Sequence, residues 1–405
     1  MNIWLINHYA VPPKYYPLAR TTNFAKYLMR LGHTVTVFAA SSVHNSNINL
    51  ITDKSLYREE TVDDVHYVYI RCRNYQGNGK QRVINMFDFS NRLSRVVRGF
   101  SKPDAVLASS ATPPACMAGL RIAKKYGARA VAEISDLWPL SFVDYGMISA
   151  QNPALIPMYA YEKRMYRYAD AIIFTMEGGY DYIVEKGWDK DIPRSKVHYI
   201  NNGVDLEQFN YNQEHYQIED EDLGNPDIFK IVYTGSIRKV NNLGLLLDAA
   251  KQVKDPRVKF LVWGDGDELP ALKQRLSDEH IENVVFKGKV EKRYVPYIVS
   301  KATWNFMHGT PNDLFRFGIS PNKMFDYFAA GKPLLMDIDA KYNPVKQFSC
   351  GLCGEAEQEI IQNIQTAIEM PEEEYQLLCH NVRDASKEFD FSVLTQRLIQ
   401  IIEEL

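Results

Sequence analysis

The chain has 405 residues, 46% apolar and 24% charged. This is ordinary globular composition, but the length exceeds one compact core, so two domains are expected. With 47 basic against 50 acidic residues and a formal charge of −3, no basic excess points to nucleic acid; no apolar run reaches the ~18 residues of a membrane span, and the start, Met1 to Asn7, lacks the pattern of a signal peptide, so a cytoplasmic protein is expected.

Short apolar runs alternate with helical stretches from end to end. In the first half, strands are expected to begin at Ile3, Thr34, His66, Ala105, Ala130, Ala171 and Val197. A helix is expected from Arg20 to Leu31, closed by Gly32 in a left-handed cap. Nearly continuous apolar strands in β-α-β repetition imply a parallel sheet covered on both faces. Asp205 to Asp227 is polar and acidic, without helical or strand periodicity, and reads as a linker. A second series of strands follows from Ile231, Val258, Val284, Thr303 and Pro333, with helices over Asn242–Val253, Glu268–Glu279, Asn322–Ala330 and most of Gln358–Leu405.

The expected fold class is therefore α/β, two tandem doubly wound, Rossmann-like domains facing a central cleft, divided as residues 1–203 and 204–388. Ligands of open α/β sheets bind at the carboxyl ends of the strands. Of the five cysteines, Cys350 and Cys353 form a lone Cys-x-x-Cys with no second pair, which reads as structural rather than as a metal or redox site.

The most informative stretch is Gly318-Ile-Ser-Pro-Asn-Lys-Met-Phe-Asp-Tyr-Phe-Ala-Ala-Gly-Lys-Pro-Leu-Leu335. Ser320 is a favourable N-cap and Pro321 suits the first helical position. The N–H groups around Asn322 and the helix dipole make a phosphate site there, to which Lys323 adds charge. Asp326, about one and a half turns on, can accept two hydrogen bonds from a ribose diol. The alternative is a well-capped, ordinary α/β helix.

Here the sequence resembles the family-4 glycosyltransferases of the GT-B fold, over nearly the whole chain. Tyr199-Ile-Asn-Asn-Gly-Val-Asp-Leu-Glu-Gln-Phe209 is similar to the family's hinge entry, Val232-Tyr-Thr-Gly-Ser236 to its first donor-domain glycine turn, and Leu261-Val-Trp-Gly-Asp-Gly266 to the next. The resemblance implies retaining transfer of a sugar from a nucleotide diphosphate without a metal or other cofactor. Gly235 and Gly264 would line the donor site. The Ser-Pro-Asn-Lys stretch is similar to the branch that builds bacterial O-antigen and capsule, which often uses a UDP-linked N-acetylhexosamine.

Two departures stand out. The family's Glu-x7-Glu pair has only its second member here, at Asp326; eight residues earlier stands Gly318. That leaves backbone groups, Asn312 or Asp313 to face the donor sugar. Ser236 follows the glycine where the family has arginine, so Arg238 and Lys239 are expected to meet the diphosphate, or else form a solvated basic pair. Asp337-Ile-Asp339 spells Asp-x-Asp but reads as surface carboxylates, so no metal is expected.

In the first half, the loop His8 to Arg20 should face the cleft, with proline and tyrosine where relatives have glycine. Arg20 is carried over as an acceptor-side residue; His8 is either a polar cleft residue or a satisfied strand-end histidine. Glu133-Ile-Ser-Asp-Leu-Trp-Pro139 resembles a signature of the same branch, bringing Trp138 to the acceptor. Asp136 can take the acceptor hydroxyl's proton or stabilise oxocarbenium-like charge, unless it merely caps the next helix. The basic amphipathic stretch Met86 to Phe100 suits either an anionic membrane surface or a helix packed on its domain with a solvated basic face. The last helix, about 389–405, resembles the family's return onto the N-terminal domain.

The expected function is thus transfer from a UDP-sugar to a saccharide or polyprenyl-pyrophosphate-linked acceptor. Two other readings stay open. One is a catalytically silent nucleotide-sugar-binding subunit, favoured by the missing acid at Gly318. The other is a sugar-nucleotide epimerase, which normally needs more acid–base groups around the sugar than are found here.

Overall fold

The computed structural model describes residues 1–15, 19–44, 46–77, 79–354 and 357–405. Part of the proline- and tyrosine-rich loop singled out above, residues 16–18, lies outside the described residues. The chain divides into two units: Met1–Asn201 with Leu394–Leu405, and Asn202–Val393.

The first unit holds one eight-stranded sheet. Its strands are β1 (Asn2–Ile6), β2 (Thr34–Ala40), β3 (Tyr57–Val62), β4 (Val65–Ile70), β5 (Ala105–Ser109), β6 (Arg129–Ile134), β7 (Ala171–Phe174) and β8 (Val197–Tyr199). Their order is β3-β4-β2-β1-β5-β6-β7-β8. All neighbours run parallel except β3 and β4. The parallel strands are almost wholly buried, as sheets covered on both faces require. β3, with the sequence Tyr-Arg-Glu-Glu-Thr-Val, is an exposed polar edge strand that apolar patterning does not reveal. The helix Arg20–Arg30 ends as its composition dictates, with Gly32 at φ +85°.

The second unit holds a six-stranded, all-parallel sheet. It comprises β9 (Phe229–Ser236), β10 (Val258–Asp265), β11 (Val284–Gly288), β12 (Trp304–Met307), β13 (Leu334–Met336) and β14 (Gly351–Cys353), in the order β11-β10-β9-β12-β13-β14. The order reverses between β9 and β12, and that switch point is where doubly wound sheets open a crevice for a ligand. Cys350 and Cys353 are unpaired thiols, pushed up by burial to about 12 and about 11.

The segment Asp205 to Asp227 is not a featureless linker. It forms helices Leu206–His215 and Glu221–Gly224, capped by Asp205 on the Gln208 amide (3.1 Å) and by Asp220 on the Leu223 amide (2.9 Å). Its acidic residues bind the sheet: Lys287 reaches Asp220 and Asp222 at 2.7 Å each, and Lys259 reaches Asp222 at 2.6 Å. Pairing with lysines on β10 and β11 replaces the apolar periodicity that a packed helix normally shows. The final helical region breaks into Glu357–Glu369, Glu372–Glu388 and Phe391–Glu403.

Candidate active site

In the second unit the two glycine turns lie side by side, the one after β9 at the switch point. β9 and β10 run in register to their ends, pairing Gly235 with Gly264 and Asp265 with Ser236. A Cβ on Gly264 would fall 1.9 Å from the Gly235 carbonyl oxygen, and one on Gly266 2.0 Å from that of Ile237. No side chain fits at either place, so the two turns present a floor of closely packed bare backbone. Gly235 itself has φ +149°. The turn after β9 is braced by Thr310, whose amide and hydroxyl donate to the carbonyls of Val240 (3.0 Å) and Lys239 (2.9 Å).

The helix Asn322–Ala329 begins beside this floor. Met324, Phe325, Tyr327 and Phe328 are fully buried, each large apolar side chain contributing about 2 kcal/mol. With that face committed to the core, Lys323 and Asp326, three residues apart, share the other. The Tyr327 hydroxyl accepts from the Thr234 amide at 3.0 Å, tying the helix to β9.

Lys323 donates to the Tyr233 hydroxyl at 2.9 Å and to Asn241 Oδ1 at 3.2 Å, with its ammonium 4.3 Å from the centre of the Tyr233 ring. Desolvation lowers it from the usual lysine value to about 7, tempered by the water that a half-buried side chain still meets. Asn241 also donates to the Ser236 hydroxyl at 2.9 Å and its carbonyl at 3.0 Å. Arg238 and Lys239 are exposed and form no ion pair among the described residues. Asp326 is paired with Lys292, so a diol arriving there must share or displace that ammonium.

Two details correct the sequence reading. Ser320 is not the N-cap: the helix starts at Asn322 behind Pro321, with no side-chain cap. The Ser320 hydroxyl accepts instead from the Asn202 amide at 3.1 Å, and its carbonyl from Asn202 Nδ2 at 2.7 Å. The Asp-x-Asp is not a pair of surface carboxylates. Asp339 is exposed, but Asp337 turns inward at the end of β13 and bonds His308 at the end of β12, both side chains 2% exposed. Among the described residues, His308 Nε2 and Asp337 Oδ1 are buried without hydrogen-bond partners. A polar residue directly after each buried strand is the only trace this pair leaves in the sequence.

Gly318 has φ +107° and ψ 177°, a conformation nearly confined to glycine. Asn312 caps the short 3-10 turn Asp313–Phe317 through the Leu314 amide (2.8 Å), and Asp313 is exposed.

In the first unit, Arg20 binds Glu133 at 2.8 Å and donates to the carbonyls of Asn201 (2.5 Å) and Ile200 (2.9 Å). It thereby ties the start of its helix to the ends of β6 and β8. His8 is buried and donates from Nε2 to Asn85 Oδ1 at 2.6 Å; burial lowers it to about 3, so it is neutral. Asn85 passes the connection on, donating to the Arg73 carbonyl at 2.6 Å and the Ser42 hydroxyl at 2.8 Å.

Asp136 caps no helix, since Leu140–Asp144 begins behind Pro139 without a side-chain cap. Its carboxylate accepts from the Ser135 hydroxyl at 3.4 Å. Desolvation pushes the carboxyl above the usual range against the pull of Ser135 and Arg82, and the exposure of the side chain moderates that shift. The Trp138 ring packs 4.5 Å from Phe142, and its buried indole N–H has no hydrogen-bond partner among the described residues.

The fold agrees with comparison to known proteins. Residues 19–208 match the family model Glycosyltransferase Family 4, and residues 228–365 match Glycosyl transferases group 1. The chain is built of two glycosyltransferase domains. No curated protein matches it in sequence. Among solved structures, this glycosyltransferase chain is similar to Anabaena HepE in complex with UDP (14% identity, TM-score 0.68, all of both chains). It is similar also to sucrose-phosphate synthase from Thermosynechococcus elongatus (15%, 0.71, all of this chain and 98% of the other) and to a glycosyltransferase from Rickettsia africae (14%, 0.66, all of this chain and 98% of the other). At these identities the likeness is one of fold. Among the described residues, no helix is long and apolar enough to cross a membrane.

Proposed function

We propose that this chain is a retaining glycosyltransferase. It moves a hexose or N-acetylhexosamine from a UDP-sugar to a saccharide or polyprenyl-diphosphate-linked acceptor in bacterial surface-polysaccharide assembly. The observation that carries the donor half is Lys323, an ammonium without a carboxylate partner among the described residues, standing at the start of a helix over a floor of bare glycine backbone. Such a group is matched by a diphosphate. HepE has been solved with UDP and with UDP-glucose, which supports a uridine donor.

In this reading the bond between the sugar's C1 and the β-phosphate oxygen breaks, and its electron pair leaves with UDP. Lys323, Arg238 and Lys239 meet the developing charge in place of a metal ion. The acceptor oxygen bonds to C1 on the face the phosphate leaves. Its proton passes to the departing phosphate or to Asp136, which acts as base or stabiliser. On the helix Lys80–Val96, exposed Val83, Ile84 and Phe87 continue into Arg95 and the nearby Arg98. That face supports peripheral contact with an anionic membrane from the cytoplasm, testable by co-sedimentation with anionic vesicles.

The test is nucleotide release across UDP-, GDP- and ADP-sugars, with and without a lipid-diphosphate-sugar acceptor, beside Asp326→Ala. Acceptor-dependent UDP release that is lost in the variant is expected. Gly318, where the family's first acid is absent, favours a second reading as a silent nucleotide-sugar-binding subunit. Stabilisation by UDP with no release from any donor would establish that instead.

A further inference from the structure

A recess of about 430 Å³ opens at the carboxyl end of β4, lined by Asn49, Arg71, Cys72, Arg73, Asn74 and Arg92. Three arginines line it. Asp88 answers two of them, holding Arg73 at 2.6 Å and Arg92 at 3.7 Å. Asp53, near Arg71, accepts instead from the Ser55 amide and hydroxyl, each at 2.9 Å. Among the described residues, three cations against one contacting carboxylate leave the recess positive.

The recess is held rigidly. The Arg71 amide donates to the Leu56 carbonyl at 3.0 Å, and the Cys72 amide to the Ser41 hydroxyl at 3.0 Å. Asn49 Nδ2 donates to the Cys72 carbonyl at 3.0 Å and to Asn74 Oδ1, and Asn85 Nδ2 to the Arg73 carbonyl at 2.6 Å. Arg92 reaches over to the Arg71 carbonyl. The backbone of 71–74 is thus fixed from several sides while the Arg73 side chain stays 56% exposed. Its fork rests on the two Asp88 oxygens, at 2.6 and 3.4 Å, and an arriving phosphoryl group would share or displace that carboxylate. A fixed loop presenting guanidinium forks is what recognition of a phosphoryl group requires, because each fork matches two phosphate oxygens. Because β1, β4 and β6 run the same way in one sheet, the recess shares its edge with His8 and Asp136, and Asn85 links it directly to His8.

We propose that this recess is an anion subsite that holds a phosphoryl group of the acceptor. This rests on the transferase reading and narrows its acceptor to a phosphorylated one. The phosphoryl group belongs either to a soluble sugar phosphate or to a lipid-linked diphosphate.

The test uses the full chain saturated with UDP, so that the donor site is occupied, and titrates it with pyrophosphate by calorimetry. Pyrophosphate should bind, and Arg71→Gln with Arg73→Gln should weaken that binding at least tenfold while UDP affinity and melting temperature hold. No pyrophosphate binding to the UDP-saturated protein, or equal binding by the double variant, overturns the subsite. Failure to bind UDP would count against the donor reading alone, since pyrophosphate binding of the two forms can still be compared without UDP. In turnover, a sugar phosphate and a lipid-diphosphate sugar in vesicles separate the two sources. The true acceptor's KM should rise at least tenfold in the double variant with kcat nearly unchanged, and a KM unmoved for both would also overturn the proposal.

Discussion

Lys323 and Tyr233 form a cation resting on an aromatic face, with the ammonium 4.3 Å from the ring centre and 2.9 Å from the hydroxyl. A diphosphate would supply the negative charge that this pair lacks. With Lys323 lowered to about 7, the free protein carries the charge below that pH and loses it above. UDP affinity should therefore fall as pH rises from about 6.5 to 8.5, by up to about tenfold per unit, and calorimetry at three pH values checks this. The stability effect has the opposite sense. The unfolded lysine keeps its proton to near the ordinary 10.5, so the unfolded state binds more protons between about 7 and 10.5, and this residue's contribution to stability rises with pH across that window. Lys323→Met should remove the pH dependence and weaken UDP binding at least tenfold.

Gly264→Ala and Gly266→Ala each force a methyl group to about 2 Å from a carbonyl oxygen. Overpacking of this kind costs about 1–3 kcal/mol. Chemical denaturation should show that loss, and UDP binding should weaken with it as the floor of the crevice is pushed up.

Gly318→Glu restores the family's acid in name only. At φ +107° and ψ 177°, any L side chain carries backbone strain of about 1–3 kcal/mol. The variant should melt lower than the parent and gain no turnover in the nucleotide-release assay.

Asp136→Asn should lower kcat/KM about 100-fold or more while leaving UDP affinity intact. Asp136 must be ionised to accept a proton, and its carboxyl is pushed above the usual range. The acid limb of the pH–rate profile should therefore lie above that of an ordinary aspartate and vanish in the variant.

His308→Ala leaves the buried Asp337 side chain without its partner. Leaving a buried hydrogen-bonding group unsatisfied costs about 1–3 kcal/mol. The double variant His308→Leu with Asp337→Asn should recover part of that loss in the same denaturation experiment.

Much of the fold was legible because buried parallel strands announce themselves as apolar runs: β1, β2, β5, β6 and β10 begin within a residue of where the sequence puts them. β3 and the helices within Asp205–Asp227 were not legible, since their stability comes from strand pairing and from lysines distant in sequence rather than from apolar periodicity. At the site, the glycine turns were readable because only glycine permits that approach of backbones. The inward turn of Asp337 was not, because a carboxylate's partner is chosen by strand order, and β12 and β13 become neighbours only in the folded sheet. Ser320 misled for a similar reason: its local spacing suits a cap, but Asn202 claims it from more than a hundred residues away.

The division of the chain has a consequence for its synthesis. Leu394–Leu405 belongs to the first unit although all of the second lies between, so the second unit is in effect an insertion within the first. At roughly 5–20 residues per second, the first 201 residues wait some 10–40 s for their last helix, while the inserted unit is already complete enough to fold. The order of maturation is then the reverse of the order of translation, with the first unit the last to close.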